Sequence, residues 1–387
     1  MPTTPAKNLL YRAALPILAP HSRGQMTHHI SGHPLTTLPN YERILAKHHV
    51  FGASLLLQDG ANCALCDTST ANPEHLAQEN TLYRVASITK MATALVTLRC
   101  IDNGLFALDS EAASLLPDGE KNLALSGVTV RHLLCHTSGL RDLPMMDSCL
   151  KEGKPYTELL RQPDIRACAP GQQLIYSNFG FGLLGCILEQ QTGLCIEPLF
   201  QKMLFRPLHM RATLDASTLN EAEIMPITRV LPYRAGRELR VTALGRHPLQ
   251  KPNPLCHYGH TAGAMYTDGR SVLQMLTLMH QRGTMDGTRL IGESLMQEMT
   301  RRQSATPTRT YGLGLVILNR PEISPRQLLG HQGFAYGCVD GAFIEEETGR
   351  AVVFLNGGAS EARTGRLGLV NRDVLQWALK QEMPSWT

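Results

Sequence analysis

The order in which strand-like and helix-like runs follow one another constrains this chain more than any single residue does. Residues 51–60 read as a strand closed by an Asp59-Gly60 turn, and 63–67 as the returning partner of a hairpin. A third short extended piece covers 81–85. A long middle section then carries helix-like runs, beginning with the apolar stretch 91–98. Strand patterns return at 311–318, 339–344 and 351–356, and a last helix is expected over about 367–381. Strands, many helices, strands and a helix imply an α/β chain of the α+β type: an antiparallel sheet flanked by helices, with a mainly helical domain inserted. At 387 residues the chain is too long for one ordinary core. We expect a discontinuous sheet domain over 38–86 and 265–387 and a mainly helical domain over 87–264, with a cleft at their junction. Residues 1–37, rich in Pro, His, Ser and Thr without periodicity, read as a loose N-terminal arm.

Composition narrows the class of partner. Hydrophobic residues make up 43% of the chain and charged residues 18%, the balance of a soluble globular protein. The net charge of +4 comes from scattered basic residues, so neither nucleic acid nor a membrane surface is implied. Several of the ten cysteines fall inside apolar runs, where Cys acts as a small hydrophobe, and this favours a reducing compartment. Cys63-Ala64-Leu65-Cys66 has metal or redox spacing. No second pair completes a zinc site and no β-α-β pattern surrounds it, so it reads as structural. The apolar piece 13–20 contains Pro16 and Pro20 and makes a poor signal peptide. No apolar span approaches about 18 residues, so no transmembrane helix is expected. Cytoplasmic placement is the default, with the periplasm left open.

Chemistry enters at Ser87-Ile88-Thr89-Lys90. On a helix, side chains at that spacing share a face with β-carbons about 5–6 Å apart. A serine hydroxyl needs a neighbouring base to become a nucleophile, and Lys90 can be that base. Taken alone, a capping Ser followed by a solvated Lys explains the same four residues. Thr129 as N-cap and Gly139 as stop bound a helix of roughly three turns. His136 in its last turn reads as satisfying helix-end carbonyls rather than as catalytic. Tyr176 and Asn178 precede a strongly apolar helix reaching Leu188, in a turn that can aim both side chains at one point. Gly259-His260-Thr261-Ala262-Gly263 has the spacing of a nucleophile elbow with Thr in place of Ser. No β-branched strand leads into it, so it reads as a glycine-rich turn. Walker loops, G-x-G-x-x-G after a strand and H-E-x-x-H are absent, and no cofactor or metal is expected.

Three separated pieces, Ser87-Ile88-Thr89-Lys90, Tyr176-Ser177-Asn178 and His331-Gln332-Gly333, occur in an order and spacing that resemble serine β-lactamases and penicillin-binding proteins. The resemblance spans about 51–358 and is nearest to the class C β-lactamase-like serine hydrolases, with their esterase, D-aminopeptidase and acyltransferase branches. The stretches 84–87, 131–140, 170–171 and 311–314 also look like that family's signatures. What the resemblance implies is a β-lactamase/transpeptidase-like fold and an acyl-enzyme on Ser87. Lys90 and Tyr176 would act as a coupled acid–base pair. Asn178 would orient Lys90 and the substrate amide, and His331 and Gly333 would bind and orient substrate along a strand edge. The backbone N–H groups of Ser87 and Phe334 would form the oxyanion hole. His331 departs from the Lys-Thr-Gly of β-lactamases that destroy penicillins and favours the esterase and peptidase branches. The expected partner is a small ester or amide. Acyl transfer in a biosynthetic pathway, β-lactam hydrolysis, D-amino-acid peptidase activity and an inactive binder are the alternatives. Oligomeric state has no sequence signal.

Overall fold

The computed structural model describes residues 26–69, 77–230, 233–235 and 248–382, together with Leu9, Ala13, Ala14 and Ile17. Its frame is a nine-stranded antiparallel sheet. The first three strands are β1 (Thr27–Gly32), β2 (Ala53–Asp59) and β3 (Asn62–Ser69). The other six are β4 (Ser304–Thr306), β5 (Arg309–Tyr311), β6 (Val316–Leu318), β7 (Leu328–Ala335), β8 (Cys338–Glu345) and β9 (Ala351–Asn356). Their spatial order is β1-β3-β2-β9-β8-β7-β6-β5-β4. The two ends of the chain meet where β9 pairs with β2, with Val353 opposite Leu56.

Alternation along the central strands buries both faces. Leu55, Leu57, Phe343, Val352 and Phe354 pack under helices α1 (Leu38–Lys47) and α5 (Leu369–Ala378), where the rings of Tyr41 and Trp377 stack at 5.0 Å. Leu56, Ala342, Ile344, Val353 and Leu355 face the larger core formed with the helical section. In that section α2 (Thr89–Asp102) and α4 (Asn178–Thr192) are buried over most of their circumference, which is why their sequences are apolar nearly all round. Cys63 packs against the larger core and Cys66 lies in the other, on opposite faces of β3, so the pair cannot converge on one ligand.

Four expectations need correction. Within the expected loose arm, β1 pairs with β3 from Thr27 opposite Ser69 to Gly32 opposite Ala64. Its burial does not alternate, so the sequence pattern is silent, and it forms because β3 offers an unpaired edge. The extended piece before Ser87 reduces to Tyr83–Arg84, which joins Tyr266–Thr267 in a separate small sheet. The helix after Thr129 is only α3 (Val130–Leu134): Thr129 caps it, but His136 at φ 61° turns the chain away before Gly139. The run 311–318 is two strands, β5 and β6, because Gly312 to Leu315 folds into a tight turn packed on the first turns of α2. The segment 235–260, rich in Arg, Pro and His and expected from its sequence to be a long surface loop, lies partly outside the described residues. Among the described residues, no single helix is long and apolar enough to cross a membrane.

Candidate active site

Between the small sheet and α2 the chain makes one sharp turn. Ala86 adopts φ 43°, an uncommon region for a residue with a β-carbon, and Ala86–Ile88 form a single 3-10 turn that runs into α2. The Thr89 hydroxyl closes the turn by donating to the Ala86 carbonyl at 2.6 Å. Ser87 is thereby held at the start of the helix, partly exposed to a cavity of about 500 Å³. Its N–H belongs to a helical first turn, where donors lack an intrahelical acceptor.

One turn further on, Lys90 is completely buried. Its ammonium donates to Ser87 Oγ at 3.0 Å, to Asn178 Oδ1 at 2.8 Å and to the Ala262 carbonyl at 2.6 Å. Burial pulls its pKa down from 10.5 to about 7, against an opposing pull from the Asp142 carboxylate. When Lys90 loses a proton it keeps two N–H donors and gains one lone pair. Asn178 Oδ1 and the Ala262 carbonyl can only accept, so the lone pair is left for the Ser87 hydroxyl.

The start of α4 fixes the other side of the cluster. Ser177 caps the helix by accepting from Gly180 N at 2.9 Å. Asp142, from a distant loop, accepts from Phe179 N at 2.9 Å, Ser177 Oγ at 3.2 Å and Asn178 Nδ2 at 2.7 Å. The carboxylate at the helix N-terminus therefore decides which way the Asn178 amide faces. Tyr176, just before the cap, donates its hydroxyl to Ser87 Oγ at 2.8 Å, and Lys90 Nζ sits 5.0 Å from its ring centre. Burial raises the Tyr176 pKa far above the usual phenol range, so the hydroxyl is protonated at neutral pH.

The structure brings Ser87, Lys90, Tyr176 and Asn178 into one hydrogen-bonded cluster, and β7 walls the same cavity with His331 and Phe334. β6 covers β7 only from Leu328 to Gly330, so residues 331–335 form a free edge on that side. His331 is 2% exposed and donates from Nδ1 to the Gln332 carbonyl at 2.7 Å. Burial and the nearby Lys90 charge lower its pKa to about 3, leaving a neutral ring. At Gly333 a β-carbon would lie 2.4 Å from the Val85 carbonyl oxygen, so the missing side chain makes room for the turn that carries Ser87.

Three contributors were not legible as site residues. His136 is buried, accepts from Ser177 N through Nδ1 at 3.3 Å and packs on the Tyr176 ring at 4.3 Å, so it buttresses the turn instead of capping a helix end. Asp142 has no local pattern that marks it. The Gly259–Gly263 segment is a turn, but it delivers the Ala262 carbonyl to Lys90. It can do so because α4 presents Gly182, where a β-carbon would lie 1.8 Å from the Tyr258 carbonyl oxygen.

Known proteins resemble this chain over most of its length. A family model described as Beta-lactamase matches residues 40–373. Esterase EstB of Burkholderia gladioli is 27% identical over 357 residues, covering 80% of this chain and 85% of that protein. Acyltransferase mokF of Monascus pilosus is 28% identical over 192 residues, 43% of this chain and 45% of that protein. The D-amino acid amidase of Ochrobactrum anthropi SV3, solved with L-phenylalanine amide, superposes with a TM-score of 0.70 at 21% identity, covering 88% of this chain and 97% of that one. An octameric penicillin-binding protein homologue from Pyrococcus abyssi gives a TM-score of 0.68 at 20% identity, over 89% of this chain and 77% of that one. At these identities the two structural likenesses speak for the fold.

Proposed function

The chain belongs to the beta-lactamase family, and from that premise we propose that it is a serine hydrolase forming an acyl-enzyme on Ser87 with small esters or amides. The single observation that carries the reading is the convergence of the Lys90 amine and the Tyr176 hydroxyl on Ser87 Oγ, at 3.0 and 2.8 Å. A lysine whose pKa lies at about 7 is present substantially as the free amine at neutral pH. It takes the Ser87 proton as Oγ bonds to the substrate carbonyl carbon. The resulting oxyanion is received by the N–H groups of Ser87 and Phe334. Tyr176 gives its proton to the leaving group and is reprotonated from the Lys90 ammonium, so the serine proton ends on the departing alcohol or amine. Water then attacks the acyl-enzyme with the same pair acting in reverse, and releases the acid.

Asn178 holds Lys90 in register, and the free edge of β7 offers main-chain groups to an extended substrate. The neutral, buried His331 where relatives of the penicillin-destroying type carry a lysine supports ester or amide substrates over β-lactams. Acyl transfer is the second reading, favoured by the match to a fungal acyltransferase; it differs only in which nucleophile attacks the acyl-enzyme. All ten cysteines are unpaired, which supports a reducing compartment such as the cytoplasm.

The test is intact-mass detection of an acyl adduct across p-nitrophenyl esters, D-aminoacyl anilides and a chromogenic cephalosporin, with Ser87→Ala as control. Short-chain esters are expected to acylate fastest and the cephalosporin slowly. A preference for the cephalosporin would overturn the ester assignment, and an adduct that persists in Ser87→Ala would remove the nucleophile. Adding alcohols and amines as acceptors and analysing the product separates hydrolysis from transfer.

A further inference from the structure

The cavity that holds Ser87 shares a wall with a second one of about 330 Å³. Arg309, Tyr311, Val316, Gln332 and Arg366 line both, so two guanidinium groups stand between the compartments. The acids lining these cavities are few and already engaged. Asp142 is bound to the start of α4, and Glu322 lies 3.4 Å from Arg320 at the outer cavity. Arg309 Nε is buried without a hydrogen-bond partner. Arg309 as a whole is half-buried, but a buried N–H donor left open is costly unless an acceptor meets it.

The backbone segments that carry both cations are fixed by main-chain pairing. Arg309 opens β5, next to the short turn from β4. Arg366 sits in the hairpin that pairs Arg363–Thr364 with Leu367–Gly368. Gln332 of β7 pins that hairpin by donating to the Arg366 carbonyl and accepting from Gly368 N at 3.1 Å. On the near side, the Arg363 guanidinium lies 3.7 Å from the Phe334 ring centre, keeping a third positive charge beside the same wall. Two guanidinium groups on one cavity wall, one of them with a buried open donor, suit the recognition of an oxyanion.

We propose that the substrate acted on at Ser87 carries an oxyanion, carboxylate or phosphate, remote from its reacting carbonyl, which docks between Arg309 and Arg366. This rests on the acyl-enzyme reading for its chemistry, but not for its binding. The anion acts as a tether. It orients the ester in the Ser87 cavity while the remainder of the substrate extends toward the second compartment.

The test compares charge-matched substrates. Mono-p-nitrophenyl adipate against its methyl ester places the charge on the acyl side. 3-Acetoxybenzoate against methyl 3-acetoxybenzoate, and 3-acetoxyphenyl phosphate against its dimethyl ester, place carboxylate or phosphate on the leaving side. The anionic member of at least one pair is expected to have a kcat/KM about tenfold higher or more. Arg309→Met and Arg366→Met should each bring the ratio within that pair close to parity, and added salt should narrow the gap. Equal or better turnover of the neutral member in every pair overturns the proposal, as does a preference that survives both substitutions. Calorimetry with Ser87→Ala separates docking from chemistry. If no ester acylates the wild type, the hydrolase reading fails, and anion binding to Ser87→Ala that Arg309→Met abolishes still upholds the docking site. Equal affinity for charged and neutral members in Ser87→Ala rejects it.

Discussion

Asp142 accepts a hydrogen bond from Asn178 Nδ2 at 2.7 Å, and this contact orients the amide so that its oxygen faces Lys90. An asparagine amide can turn over, exchanging donor for acceptor. Turned over, it would place an NH₂ against the ammonium and leave the Lys90 lone pair without a fixed direction. Asp142 therefore sets the aim of the proposed base from one residue beyond it.

Asp142→Asn should lower kcat by about 10- to 100-fold through misdirection of Lys90, with thermal stability only modestly reduced. The pH profile should move as well. Asp142 raises the Lys90 pKa, so removing its charge lets the amine lose its proton at lower pH. The acid limb of kcat/KM is then displaced toward acid even as the plateau falls. A plateau that drops without displacement of the limb would mean that Asp142 acts only as a helix cap.

Lys90 should be visible in both activity and stability. If its free amine is the working base, kcat/KM rises with pH through about 7 with unit slope. Lys90→Arg should lose at least about a thousandfold, because a guanidinium stays protonated. The stability effect has the opposite sign to that of a paired lysine. The folded pKa lies below the ordinary 10.5, so folding is penalised fully below about pH 7 and not at all above 10.5. At about 1.4 kcal/mol per pH unit the gap from 10.5 to about 7 makes this penalty on the order of 5 kcal/mol. The wild type should therefore gain on Lys90→Met as pH is raised from 7 to 10, measured by urea unfolding of both. A constant difference across that range would show that Lys90 is charged in the fold.

Gly333→Ala should abolish acylation without removing any functional side chain. The added methyl would meet the Val85 carbonyl oxygen at 2.4 Å and Ala86 Cβ at 3.3 Å, so either β7 or the turn that carries Ser87 must shift. Overpacking of this kind costs roughly 1–3 kcal/mol. A shift of the turn also breaks the geometry at Ser87. A variant that keeps normal melting and normal acylation would show that β7 can move away freely.

Much of the sheet was legible because a strand buried on both faces, such as Ala53–Asp59, leaves a continuous apolar run that few other structures demand. β1 was not, since a partly exposed edge strand needs little hydrophobic patterning to pair. In the site, Ser87, Lys90, Tyr176 and Asn178 were legible through the family resemblance of three separated motifs taken in order, since local spacing alone also fits a capping Ser and a solvated Lys. The pieces that complete the cluster are supplied by tertiary packing. Ala262 contributes only a carbonyl, which any residue possesses, and the position of that carbonyl depends on a glycine on another helix. Arg309 and Arg366 lie on separate hairpins and reach one cavity wall only in the folded sheet.

His136 gives the sharpest separation between positioning and acid–base work. Its Nδ1 takes the Ser177 N–H, so that nitrogen carries a lone pair; burial and the Lys90 charge hold the ring neutral. The ring also backs Tyr176 at 4.3 Å and meets Phe181 and Tyr311 at 5.1 Å. His136→Phe keeps most of this packing and removes the acceptor, leaving a buried N–H unsatisfied at about 1–3 kcal/mol. We expect a lower melting temperature and a kcat reduced by about tenfold, as the Tyr176 hydroxyl drifts from Ser87, with KM little changed. The midpoint of the acid limb should stay near 7, because a neutral imidazole contributes no charge to the Lys90 equilibrium. Loss of that limb in His136→Phe would instead make the imidazole the titrating base, and Lys90 would then be its charged neighbour.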